Sequence, residues 1–195
     1  TSDLEAGMRY GIRCVGTSAH AFTLLHDDER TAFDSQIASL GVGTTILVDT
    51  YDIARGVQRA VDAAKAAGGT LGAVRLDSGD LVAEAFKVRA QLDSLGCPDT
   101  KIVVTSDLDE YAIAALGAAP VDIYGVGTKL VTGSGVPTAA LVYKMVEREN
   151  SAGEMEKVAK KSSGGKSSVG GRKTAGRVII DGSATEELLI SSIDP

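Results

Sequence analysis

Apolar residues recur along this chain in two alternating rhythms. The runs TTILVD (44–49), LGAVRLD (71–77), KIVVTSD (101–107) and VDIYGVG (121–127) are short, apolar and rich in β-branched residues, and they read as strands. Between them the apolar positions fall three and four apart. Ile53, Val57, Ala60, Val61 and Ala64 share one helical face before Gly68, and Leu81, Ala85, Val88, Leu92 and Leu95 form the cleanest amphipathic helix. DEYAIAALG supplies a shorter helix before the last of these strands. Upstream, IRCV (12–15) predicts a strand and Ser18 to Leu25 a short helix, and Ala32, Phe33, Gln36, Ile37 and Leu40 predict a longer helix that stops at Gly41. The opening TSDLEAGMRYGI looks like the middle of a helix leading to Gly11.

The unit is strand then helix, repeated about every 28 residues. Parallel strands with right-handed crossovers follow from it, in either a doubly wound sheet or a barrel. A barrel is favoured, because each strand end carries polar chemistry and no single switch point stands out. TAALVYKMVERE (138–149) predicts one more strand; residues 150–175, rich in Lys, Ser and Gly, predict an exposed loop or hairpin; and GRVIID (176–181) predicts a final strand. Three regions are therefore expected: a βα-repeat barrel portion over 1–149 bearing the active-site rim, a basic loop over 150–175, and a C-terminal strand and tail over 176–195.

Composition refines this picture. The 195 residues are 44% apolar with 23 glycines, no tryptophan and only 4% aromatics, which suits strands covered by alanine-rich helices and argues against disorder. No apolar run is long enough to span a membrane and no signal sequence opens the chain, so a cytoplasmic protein is expected. Cys14 and Cys97 lack the spacings of a zinc site or a disulfide framework, which agrees with a reducing compartment. The net charge is −6, yet residues 157–178 carry seven Lys or Arg and no acid, which leaves −13 for the rest and makes nucleic acid an unlikely partner. That basic stretch reads as a solvated loop; the alternative is that its cations reach back toward substrate phosphates. With no initiator methionine, the chain is expected to be a piece of something longer.

Candidate chemistry gathers at strand ends. LVDTYD, RLDSGD and VTSDLD each hold two aspartates. The second of each pair, Asp52, Asp80 or Asp109, stands where a helix needs its N-cap. The first, Asp49, Asp77 or Asp107, lies at a strand C-terminus, where barrel enzymes assemble their sites. Such carboxylates can hold Mg²⁺, bind sugar hydroxyls or stabilise a cation on a sugar ring. Arg75 shares the sheet face of Asp77, two residues away, either as its structural ion pair or as an anion-binding group. In YGVGTKL (124–130), Gly125, Gly127 and the Thr128 hydroxyl offer a phosphate-type turn, although the pattern is not a Walker loop. His20, behind Thr17 and Ser18, suits either a backbone-bonded helix start or a base or nucleophile. His26, beside Asp27 and Asp28, is expected to be solvated.

Taken together and in order, EAGMRYGIRCVGTSAHAF, LVDTYD, VRLDSGDL, TSDLDE and GVGTKL resemble the nicotinate phosphoribosyltransferases, and YKMVE and VGGRKTAGRV extend the likeness to about Val178. The resemblance implies an irregular TIM-like (β/α) barrel of the type II phosphoribosyltransferases, of which this chain would be an incomplete, C-terminal part. It implies that nicotinate and 5-phosphoribosyl 1-diphosphate give nicotinate mononucleotide and diphosphate, driven by ATP with Mg²⁺ as cofactor. His20 in GTSAH would then be the histidine that ATP phosphorylates, and Asp77 a catalytic carboxylate. Thr17 and Arg75 would contact nicotinate, Asp77 and Asp107 would face the ribose, Ser78 would be a further substrate-binding residue, and Gly125, Gly127 and Thr128 would hold the phosphoribosyl group; the metal ligands are not identified. A homodimer is implied for the full-length enzyme, with residues from a neighbouring subunit in its site, so the chain alone should have little or no activity. The sequence departs from the family at Asp3, where TSN is usual. The alternatives are a type II enzyme for nicotinamide or quinolinate, and a non-catalytic phosphate-binding fragment.

Overall fold

A computed structural model describes residues 1–133, 135–161 and 166–191. At its centre are four strands, β1 (Thr45–Leu47), β2 (Ala73–Leu76), β3 (Lys101–Val104) and β4 (Ile123–Tyr124). They form one parallel sheet in the order β1-β2-β3-β4, without reversal, as the βα period predicts.

Seven helices accompany the strands: α1 (Leu4–Tyr10), α2 (His20–Leu25), α3 (Glu29–Leu40), α4 (Ile53–Ala66), α5 (Leu81–Ser94), α6 (Glu110–Leu116) and α7 (Thr128–Thr132). The three predicted caps all form: Asp52, Asp80 and Asp109 accept from the backbone N–H of Arg55, Ala83 and Ala112 at 2.9, 3.1 and 2.8 Å. Each fixes the point where the chain turns from strand rim into helix. Asp3 caps α1 in the same way, accepting from Ala6 at 3.1 Å, so the departure from TSN serves as a helix cap here.

Alternation along the strands separates two faces. Ile46, Val48, Val74, Leu76, Ile102 and Val104 pack with Phe33, Val57, Val61, Val88 and Leu92 of α3, α4 and α5 in a closed core. α4 lies so close to the sheet that a Cβ at Gly56 would come within 2.2 Å of the Val48 carbonyl oxygen, which only glycine permits. The opposite face carries Leu47, Arg75 and Val103 in one register row. Continued two residues past the strands, that row holds Asp49, Asp77 and Thr105.

Two predicted strands are absent. Residues 12–15 join no sheet; Val15 N–H bonds only to the Thr1 carbonyl, and Ile12 and Val15 are exposed. Of 138–149, only β5 (Glu147–Glu149) is a strand, paired antiparallel with β6 (Met155–Lys157). Leu141, Val142 and Tyr143 stand exposed, because β-propensity without a neighbouring strand makes no ladder. The predicted strand 176–181 belongs to a longer β7 (Lys173–Ile180), paired with β8 (Ser183–Ser191) through a turn in which Asp181 and Gly182 both have positive φ. The expected loop 150–175 is thus divided between hairpin strands and irregular chain; its residues 162–165, and 192–195 of the tail, lie outside the described residues.

Candidate functional site

Parallel strands deliver their C-terminal ends to one rim, and the rim row of Asp49, Asp77 and Thr105 is the floor of the site. Asp49 is fully buried; its Oδ2 accepts from the Asp77 backbone N–H at 3.2 Å and from the Ser78 hydroxyl. Its Oδ1 has no hydrogen-bond partner. Thr105 donates to Asp77 Oδ1. Beside Thr105 the row ends at Gly125, where a Cβ would meet Thr105 Cγ2 at 2.5 Å, so glycine there preserves the threonine's position.

Arg75 lies over this floor. Its Nε donates to Thr105 Oγ1 at 3.0 Å, one Nη to Thr17 Oγ1 and to the Ser18 carbonyl at 3.3 Å, and the other Nη to Asp77 Oδ1 at 3.4 Å. The guanidinium therefore ties the segment before α2 to strands β2 and β3. Arg75 pairs with Asp77, the structural alternative, and it also lines a cavity.

His20 opens α2 and hangs above the same row. Its Nδ1 lies 3.0 Å from Thr50 Oγ1, and its Nε2 is 2.7 Å from Lys160 Nζ, 3.6 Å from Asp77 Oδ2 and 3.9 Å from Asp49 Oδ1. Lys166 closes the far side, donating to the Asp77 carbonyl and to Ser106 Oγ, both at 2.7 Å. Ser106 and Asp107 have φ of 107° and 49°, so the turn after β3 holds two consecutive non-glycine residues in a disfavoured region.

A cavity of about 690 Å³ is lined by His20, Arg75, Asp77 and Asp107 together with Tyr143, Lys144, Lys160 and Lys166. Thr17 and Ser78 act one layer behind it, on Arg75 and Asp49. Gly127 and Thr128 are not on its wall; they stand at the start of α7, past β4. His26 is not solvated as expected: its Nδ1 bonds to the Phe22 carbonyl at 2.8 Å and its ring packs on Phe22, because α2 ends there and its carbonyls need partners. The two lysines likewise correct the picture of 157–178 as a purely solvated loop. Lys160 is 2% exposed, and Lys161 N–H bonds to the Thr50 carbonyl at 2.9 Å. The run of Lys and Ser was the available signal; which of its lysines turn inward was not in it.

Electrostatics hold Asp77 ionised. Burial would raise its pKa, but the neighbouring His20 ring, the hydrogen bond from Thr105 and the charges of Lys166 and Arg75 outweigh that and keep the carboxyl well below the usual carboxylate range. A carboxyl held low contributes stability that is complete above its unfolded value of about 3.8 and is lost as pH falls toward the folded one. Thermal melts should therefore show a falling midpoint below about pH 4. The Asp77→Asn protein should lack that part of the slope; an unchanged slope would mean that Asp77 is not the group responsible.

No protein-family profile matches the chain. Individual relatives do. A nicotinate phosphoribosyltransferase of Mycobacterium tuberculosis is 52% identical over 97% of this chain and 42% of its own length. The enzyme of that name from Bacillus subtilis is 40% identical over 92% of this chain and 37% of its own. Among solved structures, nicotinate phosphoribosyltransferase from Porphyromonas gingivalis superposes with a TM-score of 0.70 at 22% identity, covering 86% of this chain and 47% of that one. Nicotinate-nucleotide pyrophosphorylase from Pyrococcus furiosus superposes with a TM-score of 0.58 at 27% identity over 98% of this chain. The former likeness speaks for the α/β fold and its parallel sheet. The chain spans less than half the length of the relatives it matches, and within that span it belongs to the nicotinate phosphoribosyltransferase family.

Proposed function

We propose that this chain forms part of an ATP-coupled nicotinate phosphoribosyltransferase acting in NAD biosynthesis. It would make nicotinate mononucleotide and diphosphate from nicotinate and 5-phosphoribosyl 1-diphosphate, with ATP converted to ADP and phosphate. The observation that carries this reading is the convergence of His20, Arg75 and Asp77 on one cavity, in a chain 52% identical to a curated enzyme of that name.

The pyridine nitrogen of nicotinate attacks C1 of the ribose, and the C1–oxygen bond breaks with its electron pair leaving on diphosphate. Positive charge develops on the sugar between these events. Asp77, kept ionised, faces that charge, and Asp107 adds a second carboxylate in the same cavity. Arg75 meets the carboxylate of nicotinate with its one Nη hydrogen not spent on Thr17, Ser18, Thr105 or Asp77. Lys144, Lys160 and Lys166 line the same cavity and would supply positive charge for the phosphate groups. Gly125, Gly127 and Thr128 would serve the phosphoribosyl group from beyond β4. ATP transfers its γ-phosphoryl to a ring nitrogen of His20, and water later releases it as phosphate.

Among the described residues no group of three or more His, Cys, Asp or Glu is placed to hold a metal ion, and Asp49 and Asp77 are occupied by Ser78, Thr105, Arg75 and Lys166. The residues present do not fit a protein-held Mg²⁺. The ion belongs instead with the phosphates of the substrates, the usual manner for this cation.

The sequential strand order supports placing the sheet in a TIM-like barrel whose C-terminal rim is this site. A cytoplasmic homodimer completes the reading; among the described residues no helix is long and apolar enough to cross a membrane, and both cysteines are free thiols. Incubation of the full-length protein with γ-labelled ATP tests the central claim. Acid-labile label is expected on the wild type and absent from His20→Ala; label surviving the substitution would overturn the assignment. Substrate competition separates the nearest rival, a type II enzyme for nicotinamide or quinolinate: Arg75 favours an anionic pyridine over nicotinamide, and His20 in GTSAH favours the ATP-coupled enzyme.

A further inference from the structure

We propose that Lys160 is a positioning residue that fixes the tautomer of His20, with the Nε2 lone pair accepting from the Lys160 ammonium and the ring hydrogen on Nδ1. Asp49 from the end of β1 and Asp77 from the end of β2 both approach Nε2, at 3.9 and 3.6 Å. A hydrogen on Nε2 could face either carboxylate, but that nitrogen would then have no lone pair for a phosphoryl group.

Lys160 opposes that arrangement. Its Nζ is 2.7 Å from Nε2 and 3.9 Å from Asp49 Oδ2, and its side chain is 2% exposed. Two hydrogen-bearing cations cannot share a 2.7 Å contact, so one proton must be absent from the pair. Ordinary lysine holds its proton about four pH units more tightly than ordinary histidine. Burial draws the Lys160 pKa below the usual lysine value, with Asp49 and Asp77 working against that shift. The buried Asp49 also requires a counter-charge, and the Lys160 ammonium, 3.9 Å from its Oδ2, is placed to supply it. Both arguments put the proton on lysine.

The remaining charges nearby are already committed. Arg75 and Lys166 act through Asp77, and Lys144 adds positive charge toward Lys160. With Lys160 donating to Nε2, Nδ1 must carry the hydrogen and donate to Thr50 Oγ1, 3.0 Å away. The ring is then fixed at both ends.

The inference rests on His20 as the phosphoryl acceptor for its purpose, but its test does not need activity. In ¹⁵N-histidine-labelled protein at neutral pH, the long-range ¹⁵N–¹H spectrum of wild type should show His20 with a hydrogen on Nδ1 and a bare Nε2. Lys160→Met should show a hydrogen on Nε2, and Lys160→Arg should restore the wild-type pattern. A hydrogen on Nε2 in the wild type overturns the proposal, and so does a bare Nε2 in a folded Lys160→Met protein. If that variant does not fold, the wild-type spectrum still decides. Absence of phosphoryl label on a wild type with a bare Nε2 would sink the acceptor reading and leave this one standing.

Discussion

Under the proposed function, replacing Arg75 with lysine should lower kcat/KM for nicotinate in the full-length protein by about 10²- to 10⁴-fold. Charge is conserved by this change, so a site needing only a cation would tolerate it. The guanidinium does more: it joins Thr17, Ser18, Asp77 and Thr105, from three separate segments, while facing the cavity. An ammonium has three donors on one atom and cannot reproduce that planar fork. Losing two charge-assisted bonds at about 1.5–3 kcal/mol each gives a loss of the stated order. The drop should appear in kcat as well as KM, because Asp77 loses its orienting partner along with the substrate. Steady-state rates within a few-fold of wild type would show that the fork is dispensable.

The largest effect on stability is expected at Asp49. Alanine there should destabilise the fold by about 3–5 kcal/mol, since it leaves the buried Lys160 without its counter-charge and the Asp77 amide and Ser78 hydroxyl without their acceptor. For a chain of this size the melting temperature should fall by roughly 10 °C. Asparagine keeps an oxygen for Ser78 and Asp77 but removes the charge, so it should fall in between. Two variants melting at the same temperature would mean that the charge of Asp49 contributes nothing beyond its shape.

Local physics was readable in the sequence. Asp52, Asp80 and Asp109 each bond to a backbone three residues on, and the four strands and their helices follow from periodicity within a window of a dozen residues. IRCV and TAALVYKMVERE failed for the opposite reason, because strand formation needs a partner that propensity does not name. The β7–β8 hairpin is partly legible: the β-branched run marks β7, and the Asp181-Gly182 pair that follows is a strong hairpin-turn signal. In the site, Arg75 and Asp77 were found because alternation puts them on one face. Thr105, Thr50 and Lys160 were not, since they reach the site from 28 to 140 residues away, distances at which no spacing rule operates.

That separation carries a consequence for how the molecule comes to be. Partners within the sheet rim lie 28 to 30 residues apart, whereas Lys160 meets His20 across 140. Closing the longer loop adds on the order of 1 kcal/mol of chain entropy, roughly two doublings of length. The βα units can therefore condense early, on short loops, into a rim whose acidic floor is still open to water. Lys160 reaches it only after the chain beyond β6 has been made, so synthesis yields a folded core first and a finished charge balance last.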